Sequence, residues 1–281
     1  MTKRILITGK NSYIGKSLKK WLLSDQTKYQ VDTISLRENS WRNLDFSSYD
    51  VLLHTVGIAH IKETKQNEEL YYAVNRDLTY EVANKSKKEG ISQFIFLSSM
   101  SVYGLETGVI DKTTPLKPKN AYGRSKLEAE KLIQELASES FKVSIVRPPM
   151  VYGRNCKGNY PRLAKLALKT PIFPAFNNKR SMLYIDNLSE FVKQLIDNCS
   201  NGVFLPQNAE YVNTTEMVKL IAQAHENKMM VTKLFNPFFK TINLSAFKKV
   251  FGDLIYEKEV SEYKFNYRVV DLERSIKLTE E

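Results

Sequence analysis

The stretch KRILITGKNSYIG, residues 3–15, decides the fold of this chain. An apolar run over 5–7 leads into a glycine turn, and a helical pattern over 16–23 follows. A helix that begins behind such a turn presents free N–H groups and the positive end of its dipole, which suits a pyrophosphate. Gly9 permits the turn, and Gly15 lets the helix pack close to the strand. We therefore expect a dinucleotide-binding fold, although a plain strand–helix connector has a similar pattern.

Composition narrows the class of protein. The 281 residues suffice for one large α/β domain or two intimate lobes, and the net charge of +11 suits an acidic partner. The basic residues are spread along the chain without interleaved aromatic residues, so we expect a solvated surface and no nucleic-acid partner. Cys156 and Cys199 give no disulfide framework, which indicates a cytoplasmic protein. No apolar run approaches the roughly 18 residues of a membrane span, so we expect no membrane partner.

Several residues after the early strands indicate a binding site for adenosine. Where NAD-binding folds usually carry an acid for the adenine ribose, this chain has none and Arg37 follows. A 2′-phosphate, and hence NADP, explains this pattern, and so does a surface arginine. Asp45 and Phe46 suit the edge and the face of an adenine. Gly57 would let the backbone pass under a cofactor, and Asn75 is either a satisfied core amide or a brace for the cofactor loop.

A buried strand over 94–97 ends in hydroxyl residues that include Ser99. Doubly wound folds bind their ligands at the carboxyl ends of such strands. Tyr122 and Lys126 follow at the start of a predicted helix over 121–138, one turn apart on one face. A nearby ammonium lowers the pKa of a phenol, so this pair predicts a tyrosine that exchanges protons near neutral pH. We expect no metal site, because His54 and His60 lie six residues apart and lack a third ligand.

The order of these motifs resembles the extended short-chain dehydrogenase/reductase family. Within it, the chain is most similar to the NAD-dependent epimerase/dehydratase group of the UDP-glucose 4-epimerase type, which acts on nucleotide sugars. The resemblance implies a Rossmann-type doubly wound parallel sheet, an α/β fold, with a small C-terminal substrate-binding lobe, and NAD or NADP as the cofactor. It covers about residues 3–200 and is carried by the motifs at 8–15, 99–104, 122–126 and 147–153.

The resemblance also implies roles for individual residues. Tyr122 would be the acid/base for a sugar hydroxyl, Lys126 would hold the nicotinamide ribose, and Ser99 would hydrogen-bond the reacting oxygen. Asn159 and Arg180 would meet the phosphates of the substrate, for which a guanidinium fork is well suited. From the residues themselves or from the resemblance, we expect the dinucleotide to contact Gly9, Ser12, Tyr13, Ile14, Gly15, Arg37, Asp45, Phe46, Val56, Gly57, Asn75, Lys126 and Pro148.

Some positions depart from the family pattern. Ser12 stands at the middle glycine of the turn, and Met150 stands where epimerases often have an asparagine that touches the substrate. Met100 and Ser101 stand where the 4,6-dehydratases carry an Asp-Glu pair, so water elimination would lack its acid and base. These departures leave open which sugar is bound and how the cofactor is held. They disfavour a dehydratase.

We predict a dinucleotide-binding domain over 1–154, to which 181–208 returns, and a substrate-binding lobe formed by 155–180 and 209–281. A short helix is predicted over 244–251. The resemblance implies a homodimer formed by the predicted helices over 68–88 and 121–138.

Three functions are consistent with the sequence. The first is 4-epimerisation of a UDP-sugar or other nucleotide sugar through a transient 4-keto intermediate, for surface polysaccharide precursors. The second is an NADPH-dependent reductase of a 4-keto nucleotide sugar, which Arg37 favours. The third is a non-catalytic dinucleotide-binding protein, which would not need Ser99, Tyr122 and Lys126 together.

Overall fold

The structure is a computed structural model that describes residues 2–59, 61, 63–234 and 251–281. The predicted helix over 244–251 lies almost wholly outside the described residues. The strands are β1 (Lys3–Thr8), β2 (Tyr29–Ile34), β3 (Val51–His54), β4 (Gln93–Leu97), β5 (Gly108–Ile110), β6 (Lys142–Val146), β7 (Met150–Tyr152), β8 (Ile172–Pro174), β9 (Met182–Tyr184), β10 (Gly202–Phe204), β11 (Met230–Thr232) and β12 (Leu254–Tyr256). The helices are α1 (Tyr13–Leu22), α2 (Glu68–Tyr72), α3 (Leu78–Lys88), α4 (Ala121–Gln134), α5 (Tyr160–Lys169), α6 (Ile185–Asp197), α7 (Thr214–Ala224) and α8 (Leu272–Glu280).

A six-stranded sheet with the order β10-β6-β4-β3-β1-β2 forms the centre of the fold, and every neighbouring pair is parallel. Its middle strands are buried on both faces, which explains their continuous apolar runs. Buried side chains such as Leu6, Leu52, Phe94 and Ile145 fill the core beside the helices. The predicted fold class is confirmed.

The chain divides into two compact units. The first contains residues 1–104, 116–148 and 188–206, and therefore the whole six-stranded sheet. The second contains residues 105–115, 149–187 and 207–281. The predicted domain boundaries did not include 105–115 in the substrate-binding lobe. Here β5 pairs with β12 of the second unit, at a register that joins Val109 to Ile255.

The second unit is built from two-stranded pieces and helices. Strand β7 pairs with β9, and β8 pairs with β11. Its buried polar groups are hydrogen-bonded to one another: the Asn208 amide donates to Tyr152 Oη at 3.1 Å, and that hydroxyl lies 2.6 Å from Ser275 Oγ. Among the described residues, no helix combines the length and the apolarity needed to cross a bilayer.

Candidate active site

The strand order of the first unit reverses between β1 and β3. These strands run in parallel with Thr8 opposite His54, so their carboxyl ends lie side by side. Ligands of doubly wound folds bind at such a switch point. Gly9 follows β1 with a φ of +90°, a conformation that favours glycine. The backbone is tied across this edge, because Thr55 Oγ1 donates to the Thr8 carbonyl at 2.6 Å.

The glycine turn holds α1 close to the sheet. A Cβ on Gly15 would lie 2.8 Å from Thr55 Oγ1 and 3.2 Å from the Gly9 carbonyl, so a larger residue would displace the helix. Ser12 caps α1, since its Oγ accepts a hydrogen bond from the Gly15 N–H at 3.2 Å. The serine therefore has a structural reason to replace glycine, and its own O–H remains a donor for a phosphate oxygen.

His54 is a structural residue at this edge. Its two ring nitrogens lie 3.0 Å from Thr8 Oγ1 and 3.1 Å from Thr79 Oγ1, and the side chain is fully buried. Burial, with the charge of Lys126, lowers the pKa of His54 to about 3, so the imidazole is neutral. Among the described residues no three His, Cys, Asp or Glu side chains are grouped as metal ligands.

Three predicted adenosine contacts have different surroundings. Asp45 is exposed and accepts a hydrogen bond from the Ser47 N–H at 2.8 Å, which lowers its pKa. Arg37 is also exposed, directly after the buried Leu36. Phe46 departs from the prediction: its ring is fully buried in the core, and its N–H donates to Glu89 at 2.7 Å. Phe46 therefore supports the core and offers no ring face to an adenine.

The other predicted contacts lie near strand ends of the first unit. Val56 and Gly57 come directly after β3 and are half-buried and exposed, respectively. Tyr13 and Ile14 begin α1 and are half-buried. Pro148 is buried after β6, and its carbonyl accepts a hydrogen bond from the Met100 N–H at 3.0 Å.

Lys126, Asn75 and Gly57 meet at one point of the first unit. A Cβ on Gly57 would lie 3.1 Å from Lys126 Nζ and 3.2 Å from Asn75 Oδ1. The Asn75 side chain bridges the loop, because its Oδ1 accepts from the Ile58 N–H at 2.8 Å and its Nδ2 donates to the Ile58 carbonyl at 3.1 Å. Asn75 also donates to Ser125 Oγ at 3.1 Å. It is thus both a satisfied amide and a brace for the loop after β3.

The turn that carries Asn75 has an unusual backbone. The sequence predicted one regular helix over 68–88, whereas the structure has a π-helical turn at Ala73–Asp77 between α2 and α3. A π-helical turn inserts an extra residue and is often found at functional sites. Sequence periodicity does not reveal it, because one added residue barely changes the apolar pattern.

Tyr122 and Ser99 are brought together at the start of α4. The Ser99 hydroxyl lies near enough to the phenol to lower its pKa, while the Ser99 O–H donates to Ser101 Oγ at 3.1 Å. The Ser99 Oγ also accepts from the Ser101 N–H at 3.1 Å, which fixes its position at the end of β4. Asn120 caps α4 by accepting from the Gly123 N–H at 2.8 Å, so Tyr122 lies in the first helical turn. The predicted helix is shorter than expected and ends at Gln134 rather than at 138, where Ser138 instead closes a turn with Phe141.

The protonation of this pair differs from the prediction. Burial raises the pKa of Tyr122, and the nearby Ser99 hydroxyl opposes that rise. Burial lowers the pKa of Lys126 to about 7, although the charge of Glu130 opposes the fall. The expected lowering of the tyrosine pKa by Lys126 is therefore wrong for the protein alone. The pair is a neutral phenol and a lysine that titrates near neutral pH.

The sequence analysis missed a buried ion pair beneath this site. Arg147, at the end of β6, donates to both carboxylate oxygens of Glu130 at 2.6 Å and 3.1 Å, and to Tyr103 Oη at 3.0 Å. Ser98 Oγ donates to the same carboxylate. Glu130 follows Tyr122 and Lys126 at four-residue intervals on α4, and this spacing was the available signal.

Asn159 and Arg180 belong to the second unit. Asn159 is exposed at the residue before α5. Arg180 Nη1 donates to the Gly252 carbonyl at 2.8 Å, and its backbone pairs with Val212. Burial lowers the pKa of Arg180, with Asp253 opposing, so its charge is held at a partly desolvated position that favours an anionic partner.

Taken together, the first unit fits a nicotinamide dinucleotide. At Gly15 and Gly57 the backbone lies so close to neighbouring atoms that a Cβ would crowd them. The helix-capping Ser12 uses its oxygen as an acceptor, and its O–H can donate to a phosphate. Lys126 brings a buried ammonium that contacts no carboxylate among the described residues.

Comparisons with known proteins agree with this geometry. The model of the NAD dependent epimerase/dehydratase family matches residues 5–205. A UDP-glucose 4-epimerase of Vibrio cholerae is 33% identical over 252 residues, which cover 80% of this chain and 76% of that protein. An Escherichia coli O157:H7 enzyme, N-acetyl-alpha-D-glucosaminyl-diphospho-ditrans,octacis-undecaprenol 4-epimerase, is 32% identical over 57% of this chain and 50% of its own length.

A solved structure has the same fold. UDP-glucuronic acid 4-epimerase from Bacillus cereus, solved in complex with NAD, superposes with a TM-score of 0.76. The match covers 99% of this chain and 95% of that one at 19% identity.

Proposed function

Because the chain belongs to the NAD dependent epimerase/dehydratase family, we propose that it inverts C4 of a UDP-sugar. The family confirms three coarser predictions: the chain is an enzyme, it acts on nucleotide sugars, and its cofactor is NAD or NADP. The UDP carrier, the inversion at C4 and a role in surface polysaccharide precursors are parts of the proposal.

The observation that carries the proposal is the grouping of three side chains: Ser99 lies close enough to Tyr122 to affect its pKa, and the buried Lys126 donates to the Leu97 carbonyl, two residues before Ser99. In its phenolate form, Tyr122 takes the proton of the sugar 4-hydroxyl and becomes the neutral phenol, and Ser99 holds the sugar oxygen in place. Lys126, with a pKa near 7, supplies positive charge beside the pair as the phenolate forms.

The bound dinucleotide would supply hydride transfer at C4, in both directions, so that the hydrogen could return to the other face of a 4-keto sugar. Gly9, Ser12 and Gly15 would hold its pyrophosphate at the start of α1. Tyr122 then gives the proton back to the sugar oxygen, so the enzyme ends in its starting protonation state. Arg180 and Asn159 would orient the substrate phosphates.

The test begins with the protein as purified. We would denature one portion and identify any released dinucleotide by mass. We would incubate another with UDP-glucose or UDP-N-acetylglucosamine, without added cofactor, and follow the 4-epimer. Loss of the general acid/base should lower kcat by roughly 10² to 10⁴ in Tyr122→Phe. The matched control is Tyr80→Phe, which removes an exposed hydroxyl from α3. Equal activity of the two variants would refute the role of Tyr122.

A net reductase is the second candidate. Arg37 is exposed where a 2′-phosphate would lie, and β2 is not followed by the carboxylate typical of NAD binding. A protein purified without dinucleotide that consumes NADPH in proportion to a reduced 4-keto nucleotide sugar would establish this alternative. Arg37→Ala should then weaken NADPH binding and leave NADH binding unchanged.

A homodimer in the cytoplasm completes the proposal. Leu70 on α2 and Tyr80 on α3 are 47% and 37% exposed, and these helices are among those that we predicted to form the dimer interface. The free thiols of Cys156 and Cys199 suit a reducing compartment. Light scattering coupled to gel filtration tests the dimer, and a monomeric mass for the active protein would refute it.

A further inference from the structure

The net positive charge of this chain comes from two stretches of the second unit. Residues 154–185 and 227–252 together hold twelve Lys and Arg side chains and no Asp or Glu. The remaining sequence has 30 basic and 31 acidic side chains, which leaves it close to neutral. Basic residues are therefore spread along the chain, as expected, but the net positive charge comes from these two stretches.

The structure joins these two stretches. Strand β8 of the first stretch pairs in parallel with β11 of the second, with Ile172 opposite Met230. Helix α5 ends at Lys169, shortly before β8. The two stretches are thus joined at β8 and β11, with α5 directly before β8, and we call the exposed side chains of α5, β8, β11 and the residues beside β11 the α5–β11 surface. Its exposed basic side chains are Arg162, Lys165 and Lys169 on α5 and Lys228 and Lys233 beside β11; Arg154, Lys157 and Lys179 are exposed elsewhere in the first stretch.

Apolar side chains are exposed on the same surface. Of thirteen large apolar side chains that are exposed among the described residues, six lie in these two stretches, so the surface is apolar as well as basic. Met230 and its strand partner Ile172 are 62% and 42% exposed. On α5, Leu166 and Leu168 flank the stripe formed by Arg162, Lys165 and Lys169.

This combination favours one kind of partner. Exposed basic side chains are attracted to an anionic lipid surface, and aliphatic side chains between them enter the boundary between headgroups and acyl chains. A nucleic-acid backbone would attract the charges but gives the aliphatic side chains no apolar contact. In the described part of the chain, none of Arg162, Lys165 and Lys169 pairs with a carboxylate, so their charge is available.

We propose that the α5–β11 surface docks the enzyme on a bilayer that contains anionic phospholipids. The docking is peripheral and needs no membrane-spanning helix. It goes beyond the proposed function and does not depend on which sugar the enzyme takes. It differs from the expectation that the protein has no membrane partner.

The test is cosedimentation of the full-length protein with vesicles. We expect binding to vesicles of phosphatidylglycerol mixed with phosphatidylcholine, little binding to phosphatidylcholine alone, and release by high salt. Removing two charges in Lys165→Gln/Lys169→Gln should weaken binding on the order of tenfold. The matched control is Lys87→Gln/Lys88→Gln, which removes two exposed lysines from α3 in the first unit.

A second variant tests the apolar part. Leu166→Ser/Met230→Ser keeps every charge and should weaken binding by a similar factor, because it removes aliphatic side chains that enter the interface. Thermal unfolding followed by circular dichroism verifies that each variant is folded. Three results would overturn the proposal: no preference for phosphatidylglycerol, equal loss in the α3 control, or full binding by the serine variant. Binding of an RNA or an acidic peptide in place of the vesicles would overturn it as well.

Discussion

Two buried cations in the first unit have opposite surroundings. Arg147 is 8% exposed and donates to both oxygens of Glu130. Burial would lower the pKa of Arg147, but its hydrogen bonds and the charge of Glu130 outweigh burial and raise it. Lys126 is 4% exposed and donates to the Leu97 carbonyl at 2.8 Å. Without a carboxylate in contact, burial lowers its pKa to about 7.

The contrast separates a structural charge from a functional one. A buried ion pair that is fully hydrogen-bonded keeps its charge over a wide pH range and fixes local geometry. A buried lysine without a counter-ion is costly in the free protein, and such perturbed groups cluster at functional sites. Since Glu130 and Lys126 lie one turn apart on α4, the same helix positions both cations.

The largest expected effect on stability is that of Glu130→Gln. This change leaves the guanidinium of Arg147 buried without its counter-charge, and loss of one partner of a buried pair costs about 3–5 kcal/mol. Urea unfolding measures the change. The matched control is Glu128→Gln on the same helix, whose partner Arg76 lies 2.8 Å away at a half-exposed position and should lose about 0–1 kcal/mol. Similar losses in both variants would contradict the distinction between the two pairs.

The next largest effect is expected from Lys126→Met, and it has the opposite sign. The folded-state pKa of Lys126 lies below the ordinary value of 10.5, so the unfolded chain binds more protons between the two values. Stability of the parent protein therefore rises with pH from about 7 to about 10.5. The penalty is largest at or below the lower value, where the lowered pKa corresponds to about 5 kcal/mol. The variant also loses the hydrogen bond to the Leu97 carbonyl and the contact with the Phe96 ring, so we expect it to be more stable by roughly 2 kcal/mol.

Unfolding of dinucleotide-free protein at several pH values measures this difference. The gap between Lys126→Met and the parent should close as the pH approaches about 10.5. A gap that stays constant with pH would show that the ammonium carries no burial penalty. The same variant should lose most of its turnover of the nucleotide-sugar substrate, whereas replacement of a purely structural lysine would leave turnover largely unchanged.

The smallest effect on stability is expected from Asn75→Asp, which places a carboxylate beside Lys126. Asn75 Oδ1 and Lys126 Nζ both approach Gly57, so Asn75→Asp places a negative charge beside the ammonium. A nearby opposite charge raises the pKa of a lysine. The free energy of unfolding should then depend less on pH than in the parent protein, and it should differ from the parent value by about 1 kcal/mol at neutral pH.

The control for that variant is Asn84→Asp, the same chemical change on α3, which follows the π-helical turn that carries Asn75. It should leave the pH dependence of unfolding as in the parent protein. If Asn75→Asp also leaves it unchanged, Lys126 is not the group that titrates.

Much of the fold was predictable because its signals are local. The glycine turn at residues 9–15, the apolar runs of the parallel strands and the spacing of Tyr122 and Lys126 all depend on neighbours in the chain. The parallel sheet follows from alternating strands and helices. The π-helical turn at Ala73–Asp77 and the end of α4 were missed, because both depend on packing rather than on a local pattern.

The candidate site was predicted less completely. The Phe46 ring was expected to face an adenine, but it is buried in the core, and the Phe46 N–H donates to the Glu89 carboxylate. The partner of Arg147 was not foreseen, because Glu130 is 17 residues away in sequence and reaches it only across the packed fold.

The sequence by itself determined the class of fold, the family and the candidate catalytic residues, since these rest on short motifs whose chemistry is local. Tertiary structure alone decided which charges are paired, which pKa values move, and that two acid-free stretches are joined at β8 and β11. The physical reason is that desolvation and pairing depend on groups brought together from distant parts of the chain. The sequence assigns every lysine the same ordinary pKa, whereas in the folded protein the burial and the neighbours of each lysine set its pKa.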